Sequence, residues 1–177
     1  LLIFLSSLDL TVLEKSVKEK NFAVLPEYMR KSARDAYDVL AKSGDSKLAD
    51  CIIDAGCMEA QRNAALKTKN EIINELITVT VFYKNVKAAL RCAKSGRNAQ
   101  FLECALTETG VIQKDRMVKA ALAGEDEVLK LLEKAPSVGG AGAAKAYKKS
   151  PGEFEKYADD RLISVAGKCK YVTIGVE

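Results

Sequence analysis

The sequence predicts an all-α protein, an elongated helical bundle around one long central helix over residues 58–95, with several short helices beside it. Three observations carry that prediction. From Ile72, residues Leu76, Val79, Tyr83, Val86, Leu90 and Ala93 follow in alternating steps of four and three, which lays them along one stripe of an α-helix. No proline or glycine interrupts residues 58–93, a run that would measure roughly 50 Å as a single helix. The other helical patterns are short and closely spaced, the arrangement of antiparallel neighbours joined by tight connections.

Taken in order, residues 9–20 read as a short helix with Asp9 as N-cap and Leu10, Leu13 and Val17 on one face. Asn21-Phe22 and Leu25-Pro26 break that pattern, and Pro26 suits the first turn of the next helix. Over residues 27–42, Met29, Ala33, Ala36 and Leu40 resume helical spacing, and Gly44 supplies a stop. Residues 46–55 form a further short helix carrying Leu48, Cys51 and Ile52, ended by Gly56. After the central helix comes the turn Ser95-Gly96-Arg97-Asn98, then a short helix with Phe101, Leu102, Ala105 and Leu106, closed by Gly110. Residues 114–123 and 125–134 make a helical hairpin around Gly124.

Residues 136–147 are rich in glycine and alanine. They lack the spacing of a phosphate loop and read as a flexible linker. Ser150-Pro151-Gly152-Glu153 then opens the last helix, with Ser150 as cap, Pro151 at the first position and Glu153 as capping-box partner. Phe154, Tyr157, Ala158, Arg161, Leu162 and Val165 continue it to Gly167, and residues 168–177 form an extended tail. Ala41-Lys42-Ser43-Gly44 recurs as Ala93-Lys94-Ser95-Gly96, each followed by a short helix with a cysteine. Duplication of a helical hairpin and repeated use of one C-cap chemistry both account for that echo.

The length suits one helical domain over residues 1–177. Lysines alternate with glutamates, the net charge is only +4, and aromatic residues make up 6% of the chain, which argues against a nucleic-acid surface. There is no histidine. That removes histidine triads, histidine-containing zinc sites and the usual general base near neutral pH. No catalytic residues and no metal site are assigned. Leu1, Leu2, Ile3, Phe4 and Leu5 begin an apolar strip over residues 1–10 that is too short to span a bilayer. It is the remnant of a targeting segment, a strip packed on a partner, or a first turn buried in the protein's own core.

Five cysteines, none with CxxC spacing, leave zinc-ribbon and thioredoxin readings poor. A tight turn at residues 95–98 would bring Cys92 and Cys104 across from one another, so a Cys92–Cys104 disulfide is expected. Cys51 and Cys57 flank Asp54-Ala55-Gly56 and are a second candidate pair. The alternative is five small buried thiols in a reducing compartment.

Two stretches resemble the PsbQ family, extrinsic helical-bundle proteins on the lumenal side of photosystem II. Lys20-Asn21-Phe22, Pro26, Met29-Arg30, Ala33, Tyr37 and Leu40 are similar to its first long helix and the approach to it. Lys149-Ser150-Pro151-Gly152-Glu153-Phe154-Glu155-Lys156-Tyr157 is similar to the opening of its last helix. The resemblance implies a non-catalytic accessory subunit of a photosynthetic membrane complex in the chloroplast thylakoid lumen. Its partners would be photosystem core or antenna proteins and the membrane surface. Docking would use residues 1–10 and Lys148, Lys149 and Lys156, with no nucleic acid and no required cofactor. One alternative is an antenna linker holding chlorophyll through Asn70, Glu71, Asn74 or Gln100. Another is a helical-repeat adaptor for protein–protein interaction; an enzyme comes last.

Overall fold

The computed structural model describes residues 9–96 and 98–168. They form α1 (Leu10–Lys18), a 3₁₀ turn (Phe22–Val24), α2 (Glu27–Ser43), α3 (Ser46–Thr68), α4 (Glu71–Ser95) and α5 (Ala99–Ala105). Then follow α6 (Lys114–Ala123), α7 (Glu125–Glu133), a second 3₁₀ turn (Pro136–Val138), α8 (Gly140–Lys149) and α9 (Pro151–Gly167). No strand occurs among the described residues, and the protein is all-α.

The central helix is corrected: residues 58–95 are the end of one helix and the whole of another. The break lies at Thr68, Lys69 and Asn70, where polar side chains take the backbone groups a continuous helix would use. The Thr68 hydroxyl donates to the Ala65 carbonyl at 2.6 Å and accepts the Asn70 N–H at 3.2 Å. Lys69 takes a left-handed backbone with φ +57°. The Asn70 carboxamide oxygen accepts from Ile72 N at 3.0 Å and Ile73 N at 3.1 Å, capping α4. Asparagine followed by glutamate is an N-cap signal legible in the sequence, and it ends one helix and starts the next without glycine or proline.

Gly56 corrects the reading in the opposite sense, because α3 runs straight through it. A Cβ there would lie 2.5 Å from Ser32 Cβ on α2, so this glycine permits close helix contact and stops nothing. The stop after α2 is as expected, with Gly44 at φ +67° and its N–H on the Leu40 carbonyl. Gly96 repeats this at φ +65° on the Cys92 carbonyl, so the internal echo has a shared C-cap at each copy. The expected linker is also corrected. Residues 136–147 hold the second 3₁₀ turn and most of α8, with Gly140, Ala143 and Ala144 buried.

Where the sequence reads as one domain, the chain divides into two compact units, one through Ala60 and one from Gln61. In the second unit, α4 packs against α5, α6, α7 and α9, and α8 lies against α7 and α9. Val79, Tyr83, Val86 and Leu90 of the predicted stripe are all buried there, with Leu102, Val128, Leu132 and Phe154 among their core companions. Each such side chain stabilises the fold by about 1.5–3 kcal/mol relative to exposure.

The first unit is built more sparely. Phe22, Leu25 and Met58 are its only buried apolar side chains larger than alanine among the described residues. Both α1 and α2 pack on the Phe22–Val24 turn. Phe22 meets the Tyr37 ring at 5.7 Å, Lys20 lies over the same ring, and Arg30 Nε donates to the Leu25 carbonyl at 2.8 Å.

Candidate docking surfaces

Several polar side chains of the second unit hold its segments together. Tyr83 on α4 donates to the Val138 carbonyl at 2.8 Å, and Tyr157 on α9 donates to the Gly139 carbonyl at 3.0 Å. The two phenols thus fix the turn before α8 from two helices. Asn85 bonds both backbone groups of Thr107, accepting its N–H at 3.1 Å and donating to its carbonyl. Glu108 accepts from Gly110 N at 2.9 Å and Lys114 N at 3.1 Å, so it serves the start of α6 from six residues upstream. Desolvation pushes the Glu108 carboxyl upward, but the N–H groups of Gly110, Lys114 and Thr109 and the Arg62 guanidinium outweigh it. They hold the group below its ordinary value.

An aromatic ladder crosses the same core. Ring centroids are 5.5 Å apart for Phe82 and Tyr83, 5.9 Å for Tyr83 and Phe154, and 5.7 Å for Phe154 and Tyr147. At its end Tyr147 donates to Glu125 at 2.7 Å. Burial, aided by that hydrogen bond and the Glu125 charge, pushes the Tyr147 phenol up to about 12. Burial also raises Tyr83, with Tyr157 adding to the rise and Arg161 opposing it. Below pH 10.0, the ordinary tyrosine value, folded and unfolded chains hold the Tyr147 proton alike. Between there and about 12 the unfolded chain releases it first, so stability falls as pH rises through that window. Urea unfolding at stepped pH should show this fall, less steep in Tyr147→Phe; identical slopes would count against the assignment.

None of these groups forms a reacting constellation, and no cluster of three His, Cys, Asp or Glu occurs among the described residues. What remains to act outward is surface. On α1 Leu10 and Val17 are exposed, while Ser16 is buried with its hydroxyl on the Leu13 carbonyl at 2.7 Å. Val24, Tyr28 and Leu40 of the same unit are exposed too. In the second unit Leu66, Ile73, Leu122 and Ile163 are the exposed large apolar side chains among the described residues.

The expected site residues fall apart in space and role. Asn70 is engaged as the α4 cap, Glu71 and Gln100 are exposed at the starts of α4 and α5, and Asn74 has a buried, unpartnered Oδ1. Neither expected disulfide is formed, because Cys57 and Cys104 are thiols. Cys51 and Cys57 sit on one unbroken helix about 9 Å apart along its axis, beyond disulfide reach. Cys92 is buried on α4, whereas Cys104 lies beside the Leu102 and Ala105 face that α5 buries. Lys148 and Lys149 end α8 and do not belong to the last helix; Lys148 pairs with Glu133 at 2.9 Å, and Lys156 is exposed on α9. Leu1, Leu2, Ile3, Phe4, Leu5 and residues 169–177 of the tail, Cys169 included, lie outside the described residues.

The model of one protein family, ATP synthase (C/AC39) subunit, matches the chain over residues 1–177. The chain belongs to the ATP synthase (C/AC39) subunit family. No curated protein and no solved structure matches it. Membership in the C/AC39 family corrects the photosystem assignment, and with it the thylakoid-lumen location, the photosystem and antenna partners and both alternative functions.

In the structure both resembling stretches have local roles at helix starts. Lys20, Phe22, Arg30 and Tyr37 brace a turn between two helices, and Ser150 accepts the Glu153 N–H at 3.1 Å ahead of Pro151. Both are local solutions for starting a helix, open to any helical protein. No helix among the described residues is long and apolar enough to cross a membrane.

Proposed function

We propose that this C/AC39 chain is a non-catalytic stalk subunit of an ATP synthase or V-type ATPase, acting by holding other subunits of that assembly in place. The family match across the whole chain carries the reading. The outward apolar residues of the first unit support it, since a structural subunit works through faces left for partners. Unit 1 thereby supplies a contact and unit 2 a stable body.

Affinity capture of the tagged chain from its own cells, with the recovered proteins identified by mass spectrometry, tests this. ATP synthase subunits should be recovered; a preparation holding none would overturn the reading. Val17→Ser with Leu40→Ser should leave urea unfolding within about 0.5 kcal/mol of wild type, since both side chains are exposed. The same pair should reduce capture; undiminished capture would remove these residues from the interface.

A further inference from the structure

The outer face of α4 carries a second seam that the core does not use. Ile73, Ile77, Thr80, Lys84, Lys87, Arg91 and Lys94 follow in steps of four and three, one position after the buried stripe. That spacing averages 3.5 residues, the repeat with which one helix receives another along its length. Ile73, Lys84, Arg91 and Lys94 are exposed, and Ile77, Thr80 and Lys87 are half-buried. Along the axis the seam changes character, aliphatic toward the α4 N-terminus and wholly basic toward its C-terminus. Lys87 pairs with Glu155 of α9 at the flank. Lys84, Arg91 and Lys94 have no acidic partner among the described residues.

We infer that this seam docks an acidic helix from another subunit of the assembly, an inference that rests on the function proposed above. The partner helix presents aliphatic residues against Ile73 and Ile77, then Asp or Glu at seven- and three-residue spacing against Lys84, Arg91 and Lys94. From position 73 to 94 the contact runs roughly 32 Å. A bilayer fits the pattern poorly. A helix lying in a membrane interface divides apolar from basic around its circumference, whereas this seam divides them along its length. A second copy of the chain fits poorly as well. In parallel register it would set lysine against lysine, and in antiparallel register lysine against isoleucine. Charge complementarity therefore selects a different chain.

The test adds full chain, wild type or K84E/R91E/K94E, to the ATP synthase assembly purified from cells lacking it, following association at low and high salt. All three side chains are exposed, so the fold is expected to persist by circular dichroism; K84Q/R91Q/K94Q serves if the reversal does not fold. Wild-type association should slow with salt, and at low salt the reversed variant should associate roughly 10- to 100-fold more slowly. Carbodiimide coupling should join Lys84 and Lys94 to carboxylates about ten residues apart on one partner helix. Equal rates for wild type and variant overturn the seam while leaving the family-based function standing. A wild-type chain that fails to bind the assembly overturns both. Loss of binding to phosphatidylserine vesicles, with assembly binding intact, overturns the protein-helix partner in favour of lipid.

Discussion

Gly140→Ala should destabilise the second unit by about 3 kcal/mol or more, the largest effect expected of an alanine at any glycine among the described residues. A Cβ at this position would lie 1.9 Å from the Leu132 carbonyl oxygen and 2.9 Å from that of Ala135. Both are backbone atoms near the end of α7, so no side-chain rotation relieves the clash. Either α8 shifts as a body or the last turn of α7 opens, and each exposes core built from Leu132, Ala143 and Ala144. Gly152→Ala is the contrast. Its Cβ would meet only the Ser150 hydroxyl at 3.8 Å, in the first turn of α9 and without a left-handed backbone. It should stabilise by about 0.4–1 kcal/mol through the unfolded chain alone. Paired urea titrations decide the matter; a Gly140→Ala midpoint close to wild type would mean that α8 does not approach α7 so closely.

Tyr83→Ala is the second large effect, about 3–5 kcal/mol. The ring is 2% exposed, stands between Phe82 and Phe154, and carries the hydroxyl that holds the Val138 carbonyl. Tyr83→Phe keeps the ring and loses only that hydrogen bond, so it should cost about 1–2 kcal/mol. The gap between the two variants measures packing against hydrogen bonding. Equal losses would show that the hydroxyl alone holds the turn before α8, contrary to the ladder. Tyr157→Phe, which loses the bond to Gly139, bears on the same turn from α9.

The Gly140 and Tyr83 effects concern residues that the sequence treated very differently. Tyr83 was legible, because Val79, Tyr83, Val86 and Leu90 recur at helical spacing and burial follows from that period. Gly140 was not. Glycine and alanine without larger neighbours resemble a flexible connector, and only the approach of α7 and of the Tyr157 ring to Gly142 turns small size into a requirement. Gly56 is ambiguous for the same reason, since a glycine that ends a helix and one that admits a neighbouring helix are the same letter. The Cys51–Cys57 expectation needs a chain reversal at residues 54–56, where α3 instead runs unbroken. The docking surfaces were partly visible. The basic residues of α4 are legible in the sequence, but their period says only that they share a face beside the apolar stripe.

By itself the sequence determined the all-α class, the caps at Asp9, Gly44, Gly96 and Ser150, the Gly124 hairpin and the absence of any histidine-based chemistry. These follow from short-range physics: side-chain period, backbone preference at glycine and proline, and residue type. Tertiary structure alone decided that α3 continues through Gly56, that residues 136–147 fold into a tightly packed turn and helix, and which apolar stripes stay outside. Those outcomes depend on what other segments bring to a surface, and spacing along one chain says which residues share a face without saying whether anything covers it.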